Sequence, residues 1–400
     1  VAAPPVASGG GIPDPIAEDT RLPARVWLAV LALLYLCHLV PLLGLADDEP
    51  RGFLWGDALY YALASKGLAE SGSLDLAPQL EAAEIEAAVA EHQLARDTGG
   101  GLVLKHGSIL PFLGAPFFIL LGPRGLLVLN VLLTAGIVVG LVPLLRRYLG
   151  TVPALCTAYL LGTATLLSPY AYNYSADVAG TFFLVLGVNA LFRPALLTAG
   201  ILLGLAVSLK LSLLPAVAAL LGGGWLLAIL RGEGPEGARP AVLRSLRLGI
   251  GTLCGIAPLL ALNASLFGSV WLTGYQRIAL PGGGTVSHVS DFNQPLVAGL
   301  VQVLFDGTHG VLPTNPVLLL GLFGVPTLIR LRSRTRRREV ALLVAAAALQ
   351  IVVISRYDFW NQSHVSNRFL LVLVPLLAPL VGFAVDLLYR AARLDSEPRP

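Results

Sequence analysis

Asp57 lies in Leu54-Trp55-Gly56-Asp57-Ala58-Leu59-Tyr60-Tyr61, directly after the first apolar run and inside a stretch crowded with carboxylates. A carboxylate there is a base at a membrane surface, able to work on a molecule whose other half is buried in lipid. Lys210 is a second notable charge, because an ammonium within an apolar run costs at least roughly 2.5 kcal/mol at a helix centre. It must find a counter-charge or snorkel to the interface. Asp177, after Tyr170-Ala171-Tyr172-Asn173-Tyr174-Ser175, opens an apolar helix, where an acid complements the helix dipole. His106, His309 and His364 are scattered along the chain. Asp57 with one of them could hold a divalent ion, which is the one suggestion of a cofactor, and no metal ligand set is assigned.

The elements that must position these residues are membrane spans. Hydrophobic residues make up 56% of the 400 and charged residues 13%, against roughly 25% charged in an ordinary soluble domain. Runs of about 20 apolar residues, enough for about 30 Å of hydrocarbon, are expected near 25–45, 125–145, 151–169, 177–193, 195–209, 211–230, 247–266, 314–330, 339–355 and 369–389. The class is therefore all-α integral membrane with about ten spans. Residues 1–24 read as a disordered tail, 25–390 as one transmembrane domain, and 391–400 as a second tail. Gly44-Leu45-Ala46 could end a signal peptide, but the apolar core before it exceeds the usual 7–15 residues, which favours an uncleaved anchor. Ser108 to Leu121 is too short to span and carries Pro111 and Pro116, so it reads as an interfacial or re-entrant helix.

Charge sets the orientation. With the first tail inside, the inner segments hold Arg21, Arg25, Arg146, Arg147, Arg193, Arg231, Arg239, Arg244, Arg247, the six arginines from Arg330 to Arg338, Arg390, Arg393 and Arg399. These are eighteen of the 27 Lys and Arg, as the positive-inside rule requires. Both termini are then cytoplasmic in an inner (plasma) membrane, and three segments face the outer or periplasmic side: 46–124, 267–313 and 356–368. The first is long for a connection, holds eleven acids from Asp47 to Asp97, and has helix-like Ala/Glu/Leu content over Ala77 to Arg96. Cys37, Cys156 and Cys254 sit in separate apolar runs and form neither a disulfide framework nor a metal spacing. The arginine-rich stretches lie between spans without a stacking platform, which excludes a nucleic-acid partner.

Several segments in order resemble the GT-C superfamily of membrane glycosyltransferases, in the branch of the protein O-mannosyltransferases and lipid A aminoarabinose transferases. They are Gly56-Asp57-Ala58-Leu59-Tyr60-Tyr61 with Gly72-Ser73-Leu74-Asp75-Leu76, Lys105-His106-Gly107-Ser108-Ile109-Leu110-Pro111 with Ala115-Pro116-Phe117, Leu209-Lys210, Asn263 with Phe267-Gly268-Ser269 and Thr273-Gly274-Tyr275, and Asn367-Arg368-Phe369. The resemblance covers about 25–390. Ala58 stands where the family often has a second acid, and Trp360 to Arg368 departs from the family's last outer loop.

The resemblance implies transfer of a sugar from a polyprenyl-phosphate carrier to a lipid, glycan or protein acceptor outside the cytoplasm, with membrane lipids as the surroundings. Asp57 is then the general base, since a carboxylate can take the acceptor proton and balance an oxocarbenium-like transition state. Lys105, Lys210, Arg356 and Arg368 are the expected contacts of the leaving phosphate. Tyr60, Tyr61, His106, Tyr174, Asp177, Tyr275, Trp360 and His364 are expected at the substrate, although the tyrosines equally suit an interfacial belt. The alternative is a transporter or lipid flippase, which calls for ionisable residues on interrupted spans. Oligomeric state is not legible.

Overall fold

The structure, a computed structural model, describes residues 24–43, 54–107, 109–193, 195–230, 238–287, 291–361 and 367–396. The expectations for the first tail, for Gly44-Leu45-Ala46, for His364 and for the chain's last four residues lie outside the described residues.

Among the described residues the chain is mainly helical, with several apolar helices. Pro123–Leu145, Val242–Phe267 and Leu373–Ala392 are long and apolar enough to cross a membrane. The other expected spans are represented by shorter apolar helices, including Leu28–Leu42, Thr151–Thr163, Ala176–Phe192, Leu196–Leu209, Leu211–Leu227 and Pro316–Arg330. The 339–355 run falls on the Arg334–Ile354 helix, with Ser355 as its C-cap, and the last helix continues to Ser396. Large apolar side chains point outward along many of these helices, with Leu33, Leu120, Leu253, Leu322, Phe323 and Leu388 each more than 60% exposed. An outer surface this apolar belongs in hydrocarbon, because exposed patches of that extent are rare on water-soluble monomers.

Lipid offers no hydrophobic drive for helices to associate, so close backbone contact must supply it. The Leu196–Leu209 and Ala238–Phe267 helices do this through matched glycine pairs. A Cβ built on Gly200 would lie 2.3 Å from the Leu248 carbonyl oxygen, and one on Gly204 2.6 Å from that of Thr252. Reciprocally, Gly251 and Gly255 would each meet backbone oxygens of Leu197 and Ile201 at 2.2 Å. Ser208 adds a hydrogen bond from its hydroxyl to Gly255 O at 2.8 Å. After Leu209 the chain turns at Lys210, and the next helix, Leu214–Leu230, runs back beside Ala176–Phe192. Gly180 faces Lys210 and Leu213, while Gly224 faces Leu191.

The long segment after the first helix is only partly helical, which corrects the all-α expectation. Asp57–Ser71 and Ala82–Ala90 are helices, but Leu94–Arg96 (β1) and Leu102–Leu104 (β2) form an antiparallel hairpin. Ile278–Ala279 (β3) and Thr285–Val286 (β4) from the 267–313 segment join it, giving the order β2-β1-β3-β4. The helix expected to reach Arg96 ends early. His92 takes a left-handed backbone (φ 56°) and the Gln93 amide reaches back to Ala88 O at 2.8 Å, a closure typical of helix ends. Leu94 and Ala95 then enter the core. The expected 108–121 helix is present as Leu110–Leu121.

Candidate active site

Four segments distant in sequence bring ionisable groups around Asp57, carrying His106, Asp177, Lys210 and Arg368. Gly56 holds a backbone (φ 61°, ψ −134°) that suits glycine and turns the chain into the Asp57–Ser71 helix. Asp57 therefore sits in the first turn, where the helix dipole favours a carboxylate, and it is buried. Arg368, just before the last helix, donates from a terminal guanidinium nitrogen to Asp57 Oδ2 at 2.6 Å. His106 Nε2 lies 2.9 Å from the same oxygen and Lys210 Nζ 4.0 Å from it. Lys210 is nearer to Asp177 Oδ2, at 3.2 Å. Ser175 caps the helix that Asp177 opens, its hydroxyl accepting from the Asp177 amide at 3.2 Å. The centroid of the Phe369 ring lies 5.5 Å from Lys210 Nζ and 5.4 Å from the Arg368 guanidinium carbon, so one aromatic ring serves both cations.

The 267–313 segment closes the far side. Gly274 crosses the Lys105 backbone so closely that a Cβ would stand 2.5 Å from Lys105 O. That approach seats the Tyr275 hydroxyl 2.6 Å from His106 Nδ1. With the hydroxyl donating to Nδ1, His106 carries its proton on Nε2 and presents it to Asp57.

Burial opposes charge on Asp57, but Arg368, His106 and Lys210 outweigh it and hold the carboxyl well below the ordinary range. Burial pushes His106 down to about 3 despite the adjacent carboxylate, with Lys105 and Lys210 adding to the effect. The imidazole is therefore neutral near pH 7. Burial also lowers Lys105, partly countered by Asp57. Burial alone would lower Arg368, but Asp57 and Asp177 raise it above its ordinary value.

Asp57 opens on a cavity of about 260 Å³. Of the residues expected at the site, Tyr60, Lys105, His106, Tyr275 and Arg368 line it together with Asp57. Lys210 and Asp177 are buried behind Asp57 rather than in the cavity wall. Tyr61 is buried with its ring centroid 6.2 Å from that of His106. Tyr174 is buried elsewhere; its hydroxyl donates to Leu110 O at 2.9 Å and lies 3.1 Å from Ser65 Oγ, tying the Leu110–Leu121 helix to Asp57–Ser71. Arg356 is exposed and donates to Phe292 O, and Trp360 is buried against the ring of His309. Neither lines the cavity.

Trp55, Glu91, Gln93, Tyr357 and Phe359 line the cavity without having been singled out. Trp55 lies close to Asp57 in sequence, and Tyr357 and Phe359 lie in the outer-facing 356–368 segment, so proximity is the available signal. Glu91 and Gln93 carried none. Among the described residues no group of three or more His, Cys, Asp or Glu gathers to hold a metal ion. The Asp57–His106 pair does not fit one either, because Arg368 and Lys210 already occupy the carboxylate's field.

No protein-family model matches the sequence, and no curated protein matches it. Among solved structures, the chain is similar to the oligosaccharyltransferase of Archaeoglobus fulgidus in its apo form, at 12% identity and a TM-score of 0.49, over 94% of this chain and 52% of the other. It is similar over the same shares to the archaeal oligosaccharyltransferase AglB from Archaeoglobus fulgidus in complex with an inhibitory peptide and a dolichol-phosphate, at 12% identity and a TM-score of 0.48. The chain spans about half the length of the solved structures it matches.

Proposed function

We propose that this chain is a membrane glycosyltransferase that moves a sugar from a polyprenyl-phosphate carrier to a lipid, glycan or protein hydroxyl or amine on the outer face of the membrane. The observation that carries this reading is the buried Asp57 carboxylate facing a cavity of about 260 Å³ together with Arg368, Lys105 and the neutral His106. A base and phosphate-binding cations in one recess are what displacement at an anomeric carbon requires.

All three contacts named at Asp57 fall on Oδ2, which leaves Oδ1 for an incoming acceptor. In the step proposed, the acceptor oxygen or nitrogen forms its bond to the anomeric carbon and its proton passes to Asp57. The bond from that carbon to the phosphate oxygen breaks, and the phosphate departs with the electron pair toward Arg368 and Lys105. Fixed cations in a poorly hydrated recess stabilise that charge strongly. Asp57 is a weak base while Arg368 faces it at 2.6 Å with no phosphate to share the charge, whereas Lys210 is balanced by Asp177. A donor phosphate on Arg368 and Lys105 offsets that field and raises its basicity, so the base is armed by the donor. Tyr60, Tyr275, Tyr357 and Phe359 supply aromatic walls for the sugar, and Lys210 with Asp177 positions Asp57 from behind. Asp57 works without an acid at position 58.

A transporter needs its ionisable groups on interrupted spans. Lys210 instead occupies a turn between two helices, and the cluster lies outside the three longest apolar helices. The test is a transfer assay on the purified chain in proteoliposomes, with a polyprenyl-phosphate sugar supplied and the acceptor fraction of cell envelopes added. Wild type is expected to consume the donor and release polyprenyl phosphate, whereas Asp57→Asn is not. Donor that crosses the bilayer intact without cleavage would replace this reading with transport.

A further inference from the structure

The connection between the Leu320–Arg330 and Arg334–Ile354 helices carries Arg330, Arg332, Arg334, Arg336, Arg337 and Arg338, with no acid before Glu339. Arg330, Arg332, Arg334, Arg337 and Arg338 are exposed, and among the described residues no carboxylate pairs with these five. The adjacent Glu339 is buried and bound by Arg147 instead.

This placement works against the fold. Arg334, Arg336, Arg337 and Arg338 occupy the start of a helix whose first turn holds no acid. Cations there oppose the helix dipole, and like charges so closely spaced repel one another. Ser333 caps the helix by accepting from the Arg336 amide, so the arginines are not needed for capping. Directly before them, the Leu320–Arg330 helix exposes Leu322, Phe323 and Ile329, each 67–68% accessible. A cationic row that costs the helix stability, set at the end of an outward apolar surface, matches the boundary between acyl chains and anionic headgroups.

We propose that the Arg330–Arg338 connection is a binding surface for the phosphate groups of anionic phospholipids, with Leu322, Phe323 and Ile329 held in the adjoining acyl region. Guanidinium groups bind phosphate oxygens in a two-pronged fashion, and basic clusters at the ends of membrane helices bind anionic lipid in this way. The site is separate from the Asp57 cavity and does not depend on the activity proposed for it.

The test titrates the detergent-solubilised full chain with phosphatidylglycerol, with phosphatidylcholine and with inorganic phosphate alone, reading bound lipid by native mass spectrometry and unfolding temperature in parallel. Phosphatidylglycerol is expected to bind at least about tenfold more tightly than phosphatidylcholine. The R332Q/R334Q/R337Q/R338Q variant is expected to lose most of that preference, and the matching lysine variant to keep most of it. R332Q alone, in the connection between helices, gives a smaller loss if the fourfold variant fails to fold. Equal binding of the two lipids overturns the proposal, as does an unchanged preference in the folded glutamine variants. A stabilisation that inorganic phosphate reproduces at the same concentration assigns the surface to a free anion and overturns the lipid reading.

Discussion

Two buried carboxylates, Asp57 and Glu339, each meet an arginine from a distant part of the chain, and their surroundings differ. Glu339 takes Arg147 in a two-pronged contact, with guanidinium nitrogens at 2.8 Å and 3.3 Å, and accepts from the Tyr148 hydroxyl at 3.2 Å. It is fully buried and opens on no cavity described above. Asp57 meets Arg368, His106 and Lys210, shares Lys210 with Asp177, and faces open space. The two lie toward opposite ends of one helix. Gln350 of Arg334–Ile354 donates to Ser212 O and Phe369 O beside the Asp57 cluster, and Glu339 is eleven residues earlier, roughly 16 Å along the axis. One carboxylate is satisfied and sealed, as in a structural pair. The other is surrounded by more cationic partners than it needs and is open to a ligand, which suits chemistry on an anion.

The comparison can be broken from either side. A large effect on turnover is expected in Arg368→Gln, which removes the nearest cation of Asp57 and a proposed phosphate contact together. A loss of about 10²–10³-fold in donor consumption is expected, the scale of removing one preorganised charge stabiliser. Transfer at near wild-type rate would move the phosphate site elsewhere.

Glu339→Gln comes next and acts on stability. It leaves the half-buried Arg147 without its counter-charge and breaks its charge-assisted hydrogen bonds, at a cost of roughly 1.5–3 kcal/mol, seen as a lowered unfolding temperature in detergent. A change near zero would make Glu339 the less structural of the two carboxylates. Gly255→Leu, at the glycine contact with Leu196–Leu209, forces two backbones apart and is expected to cost roughly 1–3 kcal/mol, with the Asp57 cluster intact.

The last effect is a pH slope. The folded value of His106 is about 3, below its ordinary 6.5, so the unfolded chain takes up a proton that the folded chain refuses. Stability therefore falls as pH drops through about 6.5 toward 3 and is flat above that range. The Asp57 carboxyl is also depressed, so its contribution is complete above the ordinary carboxylate value of about 3.9 and is lost only at lower pH. His106→Asn is expected to remove the upper part of the slope in a pH series of thermal unfolding. A slope unchanged in that variant would place the titration on another group.

Parts of this arrangement were legible in the sequence. Asp57, Lys105, His106 and Arg368 stood in motif-like segments, and Lys210 was marked by the cost of a lone ammonium in an apolar run. The pairing of Tyr275 with His106, 169 residues apart, depends on the Gly274 crossing over Lys105 and on β1 pairing with β3, and such short strands carry no hydrophobic period to read. Glu339 follows six arginines at the start of the expected 339–355 span, and nothing in the sequence marks Arg147, 192 residues earlier, as its partner. The Gly200/Gly204 and Gly251/Gly255 spacings stand in the sequence, but glycine spacing alone does not say which two helices it joins. Trp360 and Tyr174, expected at the substrate, are buried in packing away from the cavity.

The most direct measurement of the central claim is turnover per folded molecule in Asp57→Asn and Glu339→Gln, assayed side by side in one proteoliposome preparation with folded protein quantified in each. The account predicts a loss of roughly 10²–10⁴-fold for Asp57→Asn, the range expected on removing a general base, and near wild-type turnover for the Glu339→Gln molecules that remain folded. Comparable loss in both, or undiminished turnover in Asp57→Asn, would contradict it.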